Sequence, residues 1–157
     1  MLGDMIHVVV SDGAHYAYDP QADNWIKRAP LPGADYNNAL VTIDGKLYAI
    51  SNSHLHVYNV ENDSWTELAS PPTGLYHAAA AATTGYLAPK MICVFTSDLI
   101  PPVFGDWTAG HTYVYFPENN TWIRAASMLA GRVYVGVAAY NDTLYAIGGF
   151  TPIVADL

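Results

Sequence analysis

His15-Tyr16-Ala17-Tyr18-Asp19-Pro20-Gln21-Ala22-Asp23-Asn24-Trp25, residues 15–25, is the stretch that decides the fold, because its plan occurs three times in the chain. The alternation through Tyr18 has the period of two that reads as a strand. Gln21-Ala22-Asp23-Asn24 is a turn, rich in residues that accept tight-turn backbone angles, and Trp25 opens the next strand. The second copy runs His56-Val57-Tyr58-Asn59, turn Glu61-Asn62-Asp63-Ser64, then Trp65. The third runs Thr112-Tyr113-Val114-Tyr115-Phe116-Pro117, turn Glu118-Asn119-Asn120-Thr121, then Trp122. Each tryptophan stands seven residues after its tyrosine. One hairpin has been copied, and the chain is all-β.

Outward from each aromatic hairpin lies a second pair of strands. Ala39 to Ile43, turn Asp44-Gly45, then Lys46 to Ile50 is the clearest, since Asp-Gly between two alternating runs is a strong hairpin signal. Val135 to Tyr140, turn Asn141-Asp142, then Thr143 to Ile147 repeats it, with Leu144-Tyr145-Ala146-Ile147 echoing Leu47-Tyr48-Ala49-Ile50. Ala78 to Ala82 and Lys90 to Phe95 supply another copy, joined by a longer turn through Thr84-Gly85-Tyr86. The five small side chains of that copy suit a crowded strand near an axis.

The composition bounds the function classes. At 157 residues, 52% hydrophobic and 13% aromatic, the chain has enough apolar surface to bury a core. A net charge of -8 sets the average field against a nucleic-acid backbone or an anionic membrane surface. No uncharged apolar run approaches the ~20 residues that span a bilayer, and Met1 to Val10 lacks the basic start of a secretion signal. Cys93 is the one cysteine and lies in Met91-Ile92-Cys93-Val94-Phe95, so it reads as a buried structural thiol.

A four-strand unit of about fifty residues, with a Tyr-Asp-Pro turn, a late tryptophan and a terminal Gly-Gly, resembles the kelch repeat, the blade of a β-propeller. Arg132 to Phe150, ending in Leu144-Tyr145-Ala146-Ile147-Gly148-Gly149, follows that pattern most closely, whereas Ser51-Asn52 and Thr96-Ser97 replace the double glycine in other copies. The resemblance implies kelch-type blades of four antiparallel strands in an incomplete ring. Residues 1–30 hold strands two to four of a first blade, 35–70 a second blade, 75–126 a third and 132–150 the start of a fourth. The style of the repeats is similar to kelch segments of secreted or cell-surface proteins, although many kelch propellers are intracellular adaptors.

In such blades the links between strands two and three share one face with the links from strand four to the next blade, and kelch ligands usually bind there. That upper face carries the candidate binding residues Tyr36, Asn37, Tyr76, His77, Arg132 and Tyr134, and the insertion Asp98 to Gly110 adds Phe104 and Trp107. Those two aromatics either recognise a partner or cap the blade. The lower face carries three glycosylation sequons, at Asn62, Asn119 and Asn141, an arrangement that leans toward a secreted or surface protein.

His54 and His56, two apart on a strand, lack a third local ligand and read as strand-edge and packing residues. His77, His111, Asp35, Asp98 and Arg132 share the upper face without a spacing that defines an acid-base pair. No catalytic residue, metal or cofactor is expected. The reading is a non-catalytic interaction module for a protein or glycan partner, with the remainder of the propeller supplied by the same polypeptide or by another chain, a homo-oligomer included. A structural repeat unit of a surface layer, filament or adhesin is the first alternative. A sugar-active enzyme, similar to galactose oxidase or a sugar mutarotase, is the second.

Overall fold

The computed structural model describes residues 2, 4–34, 39–97 and 110–150. They form strands and no α-helix. The first sheet holds β1 (Ile6–Val9), β2 (His15–Asp19) and β3 (Asn24–Arg28), in that order. The second holds β4 (Ala39–Ile43), β5 (Lys46–Ile50), β6 (Leu55–Asn59) and β7 (Ser64–Glu67). The third holds β8 (Tyr76–Ala82), β9 (Ile92–Ser97), β10 (Gly110–Phe116) and β11 (Thr121–Arg124). β12 (Val133–Tyr140) and β13 (Thr143–Phe150) form a fourth, two-stranded sheet. All neighbours are antiparallel and sequential, the meander of a propeller blade, and the sheets do not close into a ring among the described residues. The small-residue strand β8 packs beside β4 and β12, so the first strands of successive blades lie side by side.

The tyrosine-to-tryptophan spacing has a physical cause. The hydroxyls of Tyr18, Tyr58 and Tyr115 donate to Asp23 (2.7 Å), Asp63 (2.6 Å) and Asn120 (2.8 Å), each five residues on. Those acceptors are the left-handed residues of their turns, with φ of 49°, 48° and 54°, a conformation that Asp and Asn tolerate better than most side chains. The tyrosine thus pins the turn, and the tryptophan emerges beside it on the adjacent strand. Ring centroids within each pair are 5.1, 5.0 and 5.1 Å apart.

The same groups fasten one blade to the one before. Trp65 Nε1 donates to the Ala29 carbonyl (3.0 Å) while Asp63 accepts from the Ala29 amide (2.9 Å). One blade later Trp122 Nε1 donates to the Ala69 carbonyl (2.8 Å) and Asn120 accepts from the Ala69 amide (2.9 Å). Each latch therefore satisfies both backbone polar groups of an alanine leaving a fourth strand, where an orphaned pair would cost stability. Behind the second latch lies the main core, in which Ile50, Leu55, Leu75, Ile92 and Val94 are fully buried with Tyr48 and Tyr115. Each such side chain contributes roughly 1.5–3 kcal/mol. Cys93 is buried beside it, and burial pushes its thiol up to about 11, as the structural reading expects.

The third and fourth blades are joined on the lower side by a different device. The carboxylate of Asp142 accepts from the backbone amides of Thr84, Tyr86 (2.8 Å), Leu87 (2.6 Å) and Ala88 (3.2 Å) and from the Thr84 hydroxyl (2.8 Å). Successive amides converging on one anion form a nest. These bonds, those from the Thr84 and Leu87 amides foremost, hold the Asp142 carboxyl well below the usual carboxylate range. The far end of the same loop reaches the second blade, where Lys90 Nζ lies 2.7 Å from Asp44.

Several strands run past the sequence pattern, β9 to Ser97 and β10 from Gly110 among them. β12 starts at Val133 and β13 continues to Phe150, because Gly148 and Gly149 take left-handed angles (φ 74° and 70°) that let Phe150 return opposite Val133. β8 likewise starts at Tyr76, two residues early, across an irregularity in its pairing with β9.

Candidate functional site on the upper rim

The inner strands of the third and fourth blades open with matching residues, Tyr76-His77 and Val133-Tyr134. His77 (φ 50°) and Tyr134 (φ 55°) both sit in the left-handed region, which side chains of their size rarely occupy. In β12–β13 the ladder steps from Val133–Phe150 to Val135–Gly148 across the left-handed Tyr134 and Gly149. A side chain at 149 would place its Cβ 2.7 Å from the Val133 carbonyl, so glycine is required there. Strain of this kind persists where surrounding structure over-determines it, and it clusters at functional sites.

The strain aligns three rings. The His77 and Tyr134 centroids are 4.7 Å apart, and Tyr134 stacks on Phe150 at 5.9 Å with 27° between the planes. Tyr134 is 66% exposed and Phe150 55%. Arg132 turns back on this rim, its guanidinium donating to the Gly148 carbonyl at 2.9 Å. His77 Nδ1 is shielded from solvent and has no hydrogen-bond partner among the described residues. Tyr76 lies apart from the stack: its carbonyl accepts from Thr96 Oγ1 (2.7 Å), and its ring packs where a Cβ on Gly74 would sit.

The structure thus brings His77, Arg132 and Tyr134 together and places Tyr76 beside them without joining the stack. Tyr36, Asn37, Phe104 and Trp107, with Asp35 and Asp98, lie outside the described residues. Phe150 is the member that sequence reasoning missed. Its signal was the Gly148-Gly149 pair, which needs the left-handed angles before it aims the next side chain at Tyr134.

The remaining candidates fall elsewhere. His54 Nδ1 donates to Glu67 at 2.8 Å, a contact that holds the glutamate carboxyl below its ordinary value, and the His54 ring lies 5.9 Å from buried His56. Arg124 donates to His111 Nδ1 at 2.8 Å. No three His, Cys, Asp or Glu side chains among the described residues are grouped to hold a metal ion. On the lower turns Asn62, Asn119 and Asn141 are exposed. Ser64 Oγ donates to Asn62 Oδ1 (2.7 Å) and Thr121 Oγ1 to Asn119 Oδ1 (2.5 Å).

No family model matches the chain. Individual proteins do. It is 25% identical over 143 residues to human Kelch repeat and BTB domain-containing protein 2, covering 85% of this chain and 20% of that protein. Kelch-like protein 25 of Xenopus tropicalis is 26% identical over 141 residues, covering 85% and 22%. Alpha-scruin of Limulus polyphemus is 24% identical over 154 residues, covering 92% and 16%. The chain therefore spans about a fifth of the length of the curated relatives it matches. Sheet order, the repeated tyrosine-tryptophan latch and these similarities agree on one conclusion: the chain folds into propeller-type antiparallel blades and is similar to kelch-repeat proteins.

Proposed function

We propose that the chain is a non-catalytic interaction module that holds a protein partner on its upper rim. The kelch-type relatives support protein interaction in general, and the observation that carries the location is the strained, exposed stack of His77, Tyr134 and Phe150 beside Arg132. Aromatic side chains with an arginine nearby are the groups that dominate binding energy at protein interfaces. Tyr36, Asn37, Tyr76, Phe104 and Trp107 are proposed to extend the same face. Affinity capture with the unaltered chain and with Tyr134→Ala and Phe150→Ala tests it. The variants lose the captured partner while keeping the native circular dichroism and melting temperature. Undiminished capture by both sinks the rim assignment, and turnover of a hexose by the purified chain sinks the non-catalytic reading.

A glycan partner is a finer version of the same reading, with a glycan array as its test. The lower turns leave Asn62, Asn119 and Asn141 free of the rim, so glycosylation there is compatible with it, and mass spectrometry of the protein from its own source decides whether they are used.

One observation favours a second reading, a structural unit that works through blade faces. Tyr48 and Ile50 are 5% and 0% exposed between the second and third blades, whereas Tyr145 and Ile147, at the same positions of the fourth, are 46% and 68% exposed. Trp25, on the outer face of the first blade, is 58% exposed. Such faces are suited to another blade, from the same polypeptide or a second copy. Sedimentation equilibrium separates the readings: Trp25→Ala and Ile147→Asp abolish self-association under the structural reading and leave rim binding untouched under the first.

A further inference from the structure

The junction between the first and second blades carries a polar pair that its neighbour lacks. Pairing of β1 with β2 sets Ile6 against Tyr18 and His7 against Ala17, and pairing of β5 with β6 sets Leu47 against Tyr58 and Tyr48 against Val57. In that register His7 corresponds to Tyr48, and His15 to Leu55. Tyr48 and Leu55 belong to the apolar core behind the second latch. Their counterparts behind the first latch are two imidazoles.

These histidines form a chain of hydrogen bonds that ends in the latch. His15 is fully buried, with Tyr58 edge-on at 4.8 Å and Trp65 at 5.2 Å. Its Nδ1 lies 3.2 Å from the Ala29 carbonyl, and its Nε2 lies 2.8 Å from His7 Nδ1. A carbonyl only accepts, so His15 Nδ1 carries the proton. Its Nε2 is then bare, and His7 Nδ1 donates to it. Ala29 thus takes two donors on its oxygen, His15 Nδ1 and Trp65 Nε1, while its amide donates to Asp63. One proton per ring completes the chain.

We propose that this junction is an acid-operated joint: one further proton on the His7–His15 chain puts a charge into the buried junction and loosens the first blade from the second, while the second and third blades stay fastened. While His7 Nδ1 keeps its proton, a proton on His15 Nε2 sets two N–H groups against each other across 2.8 Å. A proton on His7 Nε2 keeps the bond to His15 but puts a cation beside a cavity of about 150 Å³ lined by Leu2, Ile6, Leu40 and Leu47. Among the described residues the charged neighbours on the packed elements are Arg28, which opposes either protonation, and Asp63, which favours protonation of His15. The Asp63 carboxylate already accepts from the Tyr58 hydroxyl and the Ala29 amide, and Tyr58 stays neutral, pushed up to about 12 by burial and that bond. The second latch has no titrating pair in the corresponding places.

Burial is the first cause that lowers both imidazoles, and for His7 it brings the value down to about 4, with His15 and Arg28 adding to it. A histidine depressed in the folded state contributes fully above its unfolded value of roughly 6.5 and loses that contribution as pH falls toward the folded value. The working window is therefore between about pH 6.5 and pH 4.

Hydrogen exchange on the whole chain tests the joint, because each latch holds one alanine amide. Between pH 7 and pH 4.5, after correction for intrinsic exchange, protection of the Ala29 amide falls at least tenfold while that of Ala69 holds. Histidine resonances in the same samples place the His7 titration near pH 4. Substituting the pair used one blade later, His7→Tyr with His15→Leu, removes the acid loss at Ala29. An ordinary His7 titration near 6.5, or equal behaviour of Ala29 and Ala69 in the unaltered chain, overturns the proposal without any variant. Acid loss that persists in the double variant also overturns it.

Discussion

Two junctions made to one plan, between the first and second blades and between the second and third, differ most in what backs their latches. Both grip an alanine peptide with a tryptophan indole on the carbonyl and a turn side chain on the amide. Behind Ala69 stand Tyr48 and Leu55 in a dry core; behind Ala29 stand His7 and His15. The apolar backing is insensitive to pH and depends on packing. The imidazole backing supplies a second donor to the gripped carbonyl and makes the joint depend on protonation state. Repetition of a unit thus conserves the fastening and leaves the backing free to diverge.

The comparison breaks first at its backing positions. Leu55→Ala opens a cavity in the dry core and costs about 2–5 kcal/mol in urea unfolding. His15→Ala, at the corresponding position, costs less at pH 7 and still less at pH 5, where the unaltered pair is already losing its contribution. Equal costs at both pH values would show that the two backings do the same work.

Removing an indole donor sharpens the contrast at smaller scale. Trp122→Phe leaves the Ala69 carbonyl without its donor and costs about 1–3 kcal/mol. Trp65→Phe costs less, because His15 Nδ1 still donates to Ala29. The melting temperatures of the two variants give the order, and the reverse order would contradict shared acceptance at Ala29.

The smallest effect is expected at the turn acceptors, Asp63 in one latch and Asn120 in the other. The Tyr58 hydroxyl and then the Ala29 amide hold Asp63 below its ordinary value. A carboxylate so depressed stabilises the fold above its unfolded value near 4 and gives that up as pH falls. Asp63→Asn therefore flattens the acid limb of the stability curve, and Asn120→Asp adds to it. Since Asp63 is largely solvated, each change is a few tenths of a kcal/mol, read as melting temperature against pH from 3 to 6.

The repeat was legible because the turn, its tyrosine and its tryptophan lie within one hairpin, where spacing along the chain is spacing in space. The upper rim was half legible. His77, Arg132 and Tyr134 could be assigned to a face by counting strands, but Phe150 joins them only through two left-handed glycines. The His7–His15 pair left no trace in any motif, since the two residues meet through the β1–β2 register and gain their meaning from Ala29, just past the end of β3. Asp142 was legible as a turn residue and not as the occupant of a nest of amides some 54 to 58 positions away. Contacts of that kind are fixed by how blades are stacked, which local pattern does not encode.

The loop from Thr83 to Lys90 grips Asp142 of one neighbour and Asp44 of the other, so three successive blades share a stitched seam along their lower ends. A set of leaves bound along one margin can open only at the other, as pages fan from a spine. Under the proposed rim binding, a ligand wedged between His77 and Tyr134 would splay the upper rim more readily than it would slide blade past blade. The first blade lies outside the binding, and its freedom is governed by its own latch.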